Sequence, residues 1–197
     1  MRAVRLFVLV ILLFSTAKIT RGASAPTVDM NFVSVKAGWY SMMGYISDYS
    51  EFKLPYIAVA YRRPFLWHRS QDPDSMKFEF ELGFLSFENS GKGLVTQAFP
   101  ASFSLLWEMS ATKNIHFYPK LGLGLLTYAT TDNALPDKLY STSIFLKPAL
   151  EMRFRLASMV YLYTDVAFIA AHPTGGSGFM KDLDYFFIPS LSAQISF

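Results

Sequence analysis

Lys120, Glu151, Arg153 and Asp165 are charged residues set among apolar neighbours: Leu121, Leu150, Met152, Phe154 and Val166. On an extended chain, alternate residues point to opposite faces, so these charges share one side and the apolar residues the other. Lys36, Lys77, Glu79 and Glu81 follow the same rule and belong nearby. The signs are mixed and nearly balanced. Such a set can pair into a buried network, because charge taken out of water must be compensated. It could also relay protons or ions, but nothing else in the sequence supports that. One interior network of Lys120, Glu151, Arg153 and Asp165 is therefore expected. The other residues able to do chemistry are three histidines, His68, His116 and His172. They fall too far apart along the pattern to share a metal ion. With no cysteine in the chain there is no disulfide framework and no thiolate metal site.

The elements that position these residues are strands. Phe32 to Gly44 alternates Val33, Val35, Ala37 and Trp39 with Ser34, Lys36, Gly38 and Tyr40. Lys53 to Arg63 sets Ile57, Val59 and Tyr61 against Tyr56, Ala58, Ala60 and Arg62. From Met76 the contrast is sharpest: Phe78, Phe80, Leu82 and Phe84 back onto Lys77, Glu79 and Glu81. A soluble core strand has no use for an aromatic face backed by Lys-Glu-Glu, whereas a lipid-facing strand does. The period recurs over Gln97 to Glu108, Ile115 to Thr127, Ser141 to Leu156, Met159 to Ala170 and Phe187 to Phe197. Eight strands of this length each suit one tilted membrane crossing.

The two ends of the chain agree with export to a membrane. Arg2 and Arg5 precede nine apolar residues, Leu6 to Phe14, followed by small residues. This is the pattern of a secretory signal peptide over residues 1–22, with cleavage between 17 and 25. Those 22 residues hold four of the 18 basic residues and no acidic one, which leaves 14 basic against 15 acidic residues, or −1. The basic balance of the whole chain is thus a property of the leader and does not argue for nucleic acid. The last strand ends Leu191, Ala193, Ile195, Phe197 on one face, with Ser190, Ser192, Gln194 and Ser196 on the other. In a soluble sandwich such a terminus would fray. In a closed barrel it pairs with the first strand and leaves no edge.

The segment Leu150-Glu151-Met152-Arg153-Phe154-Arg155-Leu156, with Leu162-Tyr163-Thr164-Asp165-Val166, resembles strands of OmpA-type and OmpX-type barrels. Phe117-Tyr118-Pro119-Lys120-Leu121-Gly122-Leu123-Gly124 is similar to another of their strands, with the order of Tyr and Pro reversed. The terminal Phe197, with Ile195 two residues before it, resembles the signal read by the bacterial barrel-assembly machinery. The resemblance implies an all-β, eight-stranded antiparallel up-and-down transmembrane barrel over residues 23–197. It further implies the outer membrane of a diderm bacterium, lipid and the assembly machinery as partners, and a monomer. An even strand count puts both termini in the periplasm. The outward loops are then expected at Ile46–Phe52, Ser86–Thr96, Tyr128–Tyr140 and Ala171–Asp184.

Two further features bear on function. Above the charges the inward positions are small or apolar: Met42, Gly83, Ser102, Gly122, Gly124, Phe145, Ile169 and Ile188. They either pack across a narrow lumen or line a pocket for a hydrophobic small molecule, as in OmpW-like barrels. Pro100, Pro148 and Pro189 lie inside strands and are expected to mark bulges or unzipped ladder. His68-Arg69-Ser70 resembles the His-x-Ser pair of outer-membrane lipid A deacylases, but falls in a periplasmic turn. His172 and Ser177 with Asp182 or Asp184 loosely resemble the triad of the lipid A palmitoyltransferase, at different spacing. No catalytic residue, cofactor or metal is therefore assigned. The expected role is a non-enzymatic, surface-exposed barrel in membrane integrity or host and environment contact. A narrow hydrophobic channel and a lipid A-modifying enzyme are the alternatives.

Overall fold

Alternation of polar and apolar residues becomes one closed antiparallel sheet in the computed structural model, which describes residues 31–44, 51–64, 76–89, 93–110, 115–132, 138–156, 160–173 and 184–196. The expected signal segment, Phe197, His68, Ser177 and Asp182 lie outside the described residues. The strands are β1 (Phe32–Gly38), β2 (Ser41–Gly44), β3 (Glu51–Pro64), β4 (Met76–Asn89), β5 (Leu94–Trp107), β6 (Met109–Ser110), β7 (Ile115–Asp132), β8 (Lys138–Arg155), β9 (Val160–Pro173) and β10 (Asp184–Ser196). β2 continues β1, since both pair with β10 in one register (Val33↔Ile195, Met43↔Tyr185). β6 continues β5 on β7 in the same way (Leu106↔Lys120, Met109↔Phe117). Ten segments thus make eight staves. Each pairs with its sequence neighbour, and β1 closes on β10.

Burial follows the pleat. β1 reads buried, exposed, buried from end to end. Leu123, Val35 and Phe103 are 62%, 56% and 50% exposed on the outer wall. Lys36, Glu79, Glu81, Lys120, Glu151 and Asp165 are buried inside. Water would penalise that outer wall and lipid does not, so the inverted polarity is that of a membrane-spanning barrel.

Two expectations are corrected and a third is met in one of its two forms. At the end away from Phe32 and Ser196 the strands run further than the sequence suggests: β4 extends to Asn89, β5 starts at Leu94, β7 reaches Asp132 and β8 starts at Lys138. Threonines that look like loop residues instead join the ladder: Thr96 and Thr130, both in expected loops, pair across it with their hydroxyls 3.1 Å apart. The first strand is not continuous, because its ladder breaks at Trp39–Tyr40. There Trp39 donates its N–H to the Pro189 carbonyl at 3.1 Å, and a proline has no N–H to return. Pro100, Pro148 and Pro189 mark unzipped ladder, as expected, and no bulge: on one side Pro100↔Leu126, Leu121↔Pro148 and Pro189↔Val166 sit within unbroken runs. On the other side the pairing is interrupted beside each proline and resumes in the same register. The register shifts lie on β3 and β4, between Phe52 and Leu54 and between Leu54 and Ile57, around Pro55.

Candidate functional site: a lumen filled in layers

The middle of the lumen holds eight ionisable side chains from six strands. Arg62 on β3 reaches across to Glu151 on β8 with two parallel bonds, Nη1–Oε1 at 2.9 Å and Nη2–Oε2 at 2.7 Å. The same guanidinium takes Glu79 Oε2 at 2.6 Å. Lys120 lies 2.6 Å from Glu151, 3.1 Å from Asp165 and 3.2 Å from Glu79. Lys36 lies 3.2 Å from both Glu79 and Asp165 and also pairs with Glu81. Glu81 further takes Lys147 and the hydroxyl of Tyr56. Four cations face four carboxylates, and every one is buried. In so dry a place the network holds only because both sides are complete.

A second cluster lies nearer the end that holds Phe32 and Ser196. Glu108 takes Lys77 at 2.6 Å, His116 Nδ1 at 3.0 Å and Arg153 Nη2 at 3.2 Å. Arg153 stacks over Tyr161 and Tyr118, with its guanidinium carbon 4.6 Å and 4.8 Å from the ring centres. Arg62 lies 5.2 Å from the centre of the Tyr118 ring, so that ring joins the two clusters.

Above the charges the lumen is apolar. Tyr40, Tyr56, Leu85, Phe87, Leu126, Phe145, Ile169, Phe186 and Ile188 form one buried cluster, with Met42 packed against it. Gly83, Gly122 and Gly124 do not look onto open space. A Cβ on Gly83 would lie 2.7 Å from the Tyr56 ring, and one on Gly122 would lie 3.2 Å from the Phe103 carbonyl and collide with the Ser104 hydroxyl. A Cβ on Gly124 would meet the Phe145 ring and the Ala101 carbonyl. The glycines let large neighbours cross the barrel. Ser102 is buried between Glu81 and Gly124 on the flanking strands.

Of the four residues expected in one network, Lys120, Glu151 and Asp165 come together. Arg153 stands one pleat lower, opposite Tyr163 and His116, and pairs with Glu108. Arg62, Lys147 and Glu108 belong to the site and were not singled out from sequence. Arg62 shares the phase of Tyr56, Ala58 and Ala60, which marks it as inward. Ile195 faces outward, 61% exposed, paired with Val33 and Val160. Of the residues with enzyme-like spacing, His172 is on β9, its backbone opposite Ile144, and Asp184 is buried on β10.

A closed eight-stranded antiparallel barrel, apolar outside and ion-paired within, is the architecture of small outer-membrane proteins. Solved structures of that class share the fold. Neisserial surface protein A superposes with a TM-score of 0.63 at 10% identity, covering 85% of this chain and 97% of that one. Ail of Yersinia pestis, in complex with the heparin analogue sucrose octasulfate, gives 0.57 at 12% identity over 87% of this chain and all (100%) of Ail. AlkL, solved in lipid bilayers, gives 0.52 at 17% identity over 92% and 96%. No family model matches the chain. No curated protein sequence matches it either.

Proposed function

We propose that this barrel is a non-enzymatic protein of the outer membrane, exposed at the cell surface, where it serves membrane integrity or contact with host and environment. The observation that carries this is the filled lumen. A charge-balanced network crosses the barrel and an apolar layer is packed above it. A barrel so filled acts through its outer wall and its ends. The first and last described strand residues, Phe32 and Ser196, pair at one end of the barrel. That end is placed in the periplasm, so residues 45–50, 90–92, 133–137 and 174–183 connect strands at the outside. Ail's complex with a heparin analogue is an instance of this fold binding a ligand. Here those four segments carry Lys92 and Lys181 against Asp48, Asp137 and Asp182, so a polyanion is not favoured. The test combines planar-bilayer conductance of the refolded barrel with protease access at 133–137 and 174–183 in intact cells. Near-zero conductance and outside cleavage are expected. Steady conductance, or a changed lipid A mass in an expressing strain, would overturn the proposal.

A second role, passage of small hydrophobic molecules, is favoured by one feature. β3 pairs with β1 only up to Gly38↔Tyr56, and β2 pairs only with β10 among the described residues. The wall therefore lacks a ladder between β2 and the upper part of β3, beside the apolar cluster at Tyr40 and Tyr56. Liposomes carrying the barrel should then take up apolar dyes faster than empty ones, and equal rates would end this role.

A further inference from the structure

The buried charges of the lumen do not cancel at every level. The middle layer closes at four against four, Lys36, Arg62, Lys120 and Lys147 facing Glu79, Glu81, Glu151 and Asp165. Among the described residues, the inner-end layer does not. Lys77 and Arg153 share one carboxylate, Glu108, which also receives His116. Lys77 and Arg153 are 4% and 2% exposed. They flank the same two rings: Lys77 Nζ lies 5.3 Å from the centre of Phe32 and 5.5 Å from that of Tyr118, and the Arg153 guanidinium carbon lies 5.6 Å and 4.8 Å from them.

Hydrogen bonding gives an independent sign of the same deficit. Arg153 Nε and Nη1 are buried and have no hydrogen-bond partner among the described residues, and both ends of the Gln194 amide are in the same state. Gln194 is 1% exposed and stands opposite Tyr161, the ring on which Arg153 stacks. A buried guanidinium with unmet donors, in a cluster with one cation in excess, is costly on both counts. Water would satisfy the donors and leave the charge. A small anion satisfies both.

We propose that the inner end of the lumen is a binding site for a small monovalent anion of the size of chloride, held by Arg153 and Lys77 with the Gln194 amide beside it. The anion completes the charge balance of the barrel and so stabilises the folded state.

The test is thermal unfolding of the full chain in detergent, in sodium chloride and in sodium gluconate at matched ionic strength. Above the dissociation constant, each tenfold rise in chloride should multiply the folded-to-unfolded ratio about tenfold, and gluconate should not. Lys77→Met removes the excess charge and should abolish the chloride dependence. Glu108→Gln doubles the excess and should tighten binding, so that the tenfold response sets in at lower chloride than in the wild type. Opposite changes from neighbouring residues would not arise from loss of packing. Should either variant fail to fold, bromide-soaked crystals of the wild type should show an anomalous peak between Arg153 and Lys77. Superimposable curves in the two salts, a Lys77→Met variant with wild-type chloride dependence, or no bromide peak would each overturn the site.

Discussion

Arg62 and Glu151, 89 residues apart in sequence, meet across the lumen as a bidentate pair at 2.9 Å and 2.7 Å. The planar guanidinium also holds Glu79, so one arginine ties β3 to β4 beside it and to β8 opposite. Parallel N–H to carboxylate bonds fix direction as well as distance, which a lysine could not do here.

Removing one member of this pair strands the other. Glu151→Ala leaves Arg62 and Lys120 short of a carboxylate in a buried place, at a cost of about 3–5 kcal/mol. Arg63→Ala, on the exposed face of the same strand as Arg62, should change stability by about 0.5 kcal/mol or less. The double variant Arg62→Met with Glu151→Met removes equal and opposite charge and should cost less than the two single changes together. Unfolding midpoints in urea, with the slopes compared, check all three. Additive single costs would show that the pair is not coupled.

The glycines on the inner wall should resist enlargement. Gly124→Leu would drive its side chain into the Phe145 ring and the Ala101 carbonyl, and Gly122→Leu into Ser104 and the Phe103 carbonyl. Overpacking of this kind costs about 1–3 kcal/mol. Both variants should fold less stably with dye uptake unchanged. A variant of full stability that blocks uptake would instead mean that the wall faces a cavity.

Much of this barrel is visible in the sequence, and what is hidden has a geometric cause. Phe78, Phe80 and Leu82 against Lys77, Glu79 and Glu81 declare their faces because lipid and lumen impose opposite polarity on alternate residues. Arg62 shows its phase but not its partner. That partner depends on the stagger of strands around the barrel, which no local pattern encodes. Arg153 illustrates the same limit, since counting positions from the inner rim puts it level with Lys120, whereas the stagger lowers it to Glu108. The ends of β4, β5, β7 and β8 away from Phe32 and Ser196 were hidden for a chemical reason. Threonines and serines read as loop residues, yet their hydroxyls and β-branched shape suit a polar sheet standing beyond the apolar belt.

Hydrogen exchange should divide the first stave. β1 is laddered on both sides, to β3 and to β10, whereas β2 is laddered only to β10 among the described residues. Amides of residues 41–44 should therefore exchange faster than those of residues 32–38. Equal protection would mean that the wall between β2 and β3 is closed in the membrane.

The lipid face gives the most direct test of the membrane assignment. Leu123 lies near the middle of β7, 62% exposed, flanked by Leu121 and Leu125 on the same outer face. If that face meets hydrocarbon, Leu123→Arg buries an unpaired charge at the apolar belt and should cost about 2–4 kcal/mol. Leu139 has a similar exposure of 65% but sits one residue inside the outer end of β8. Near the interface the arginine can reach water, so Leu139→Arg should cost about 0–1 kcal/mol. The two leucines are equally free of protein contact, so folded-state packing predicts no difference between them. Reversible folding into lipid vesicles, followed by tryptophan fluorescence, measures both. A clear gap between the two arginines locates the belt, and equal small costs would place the whole outer wall in water.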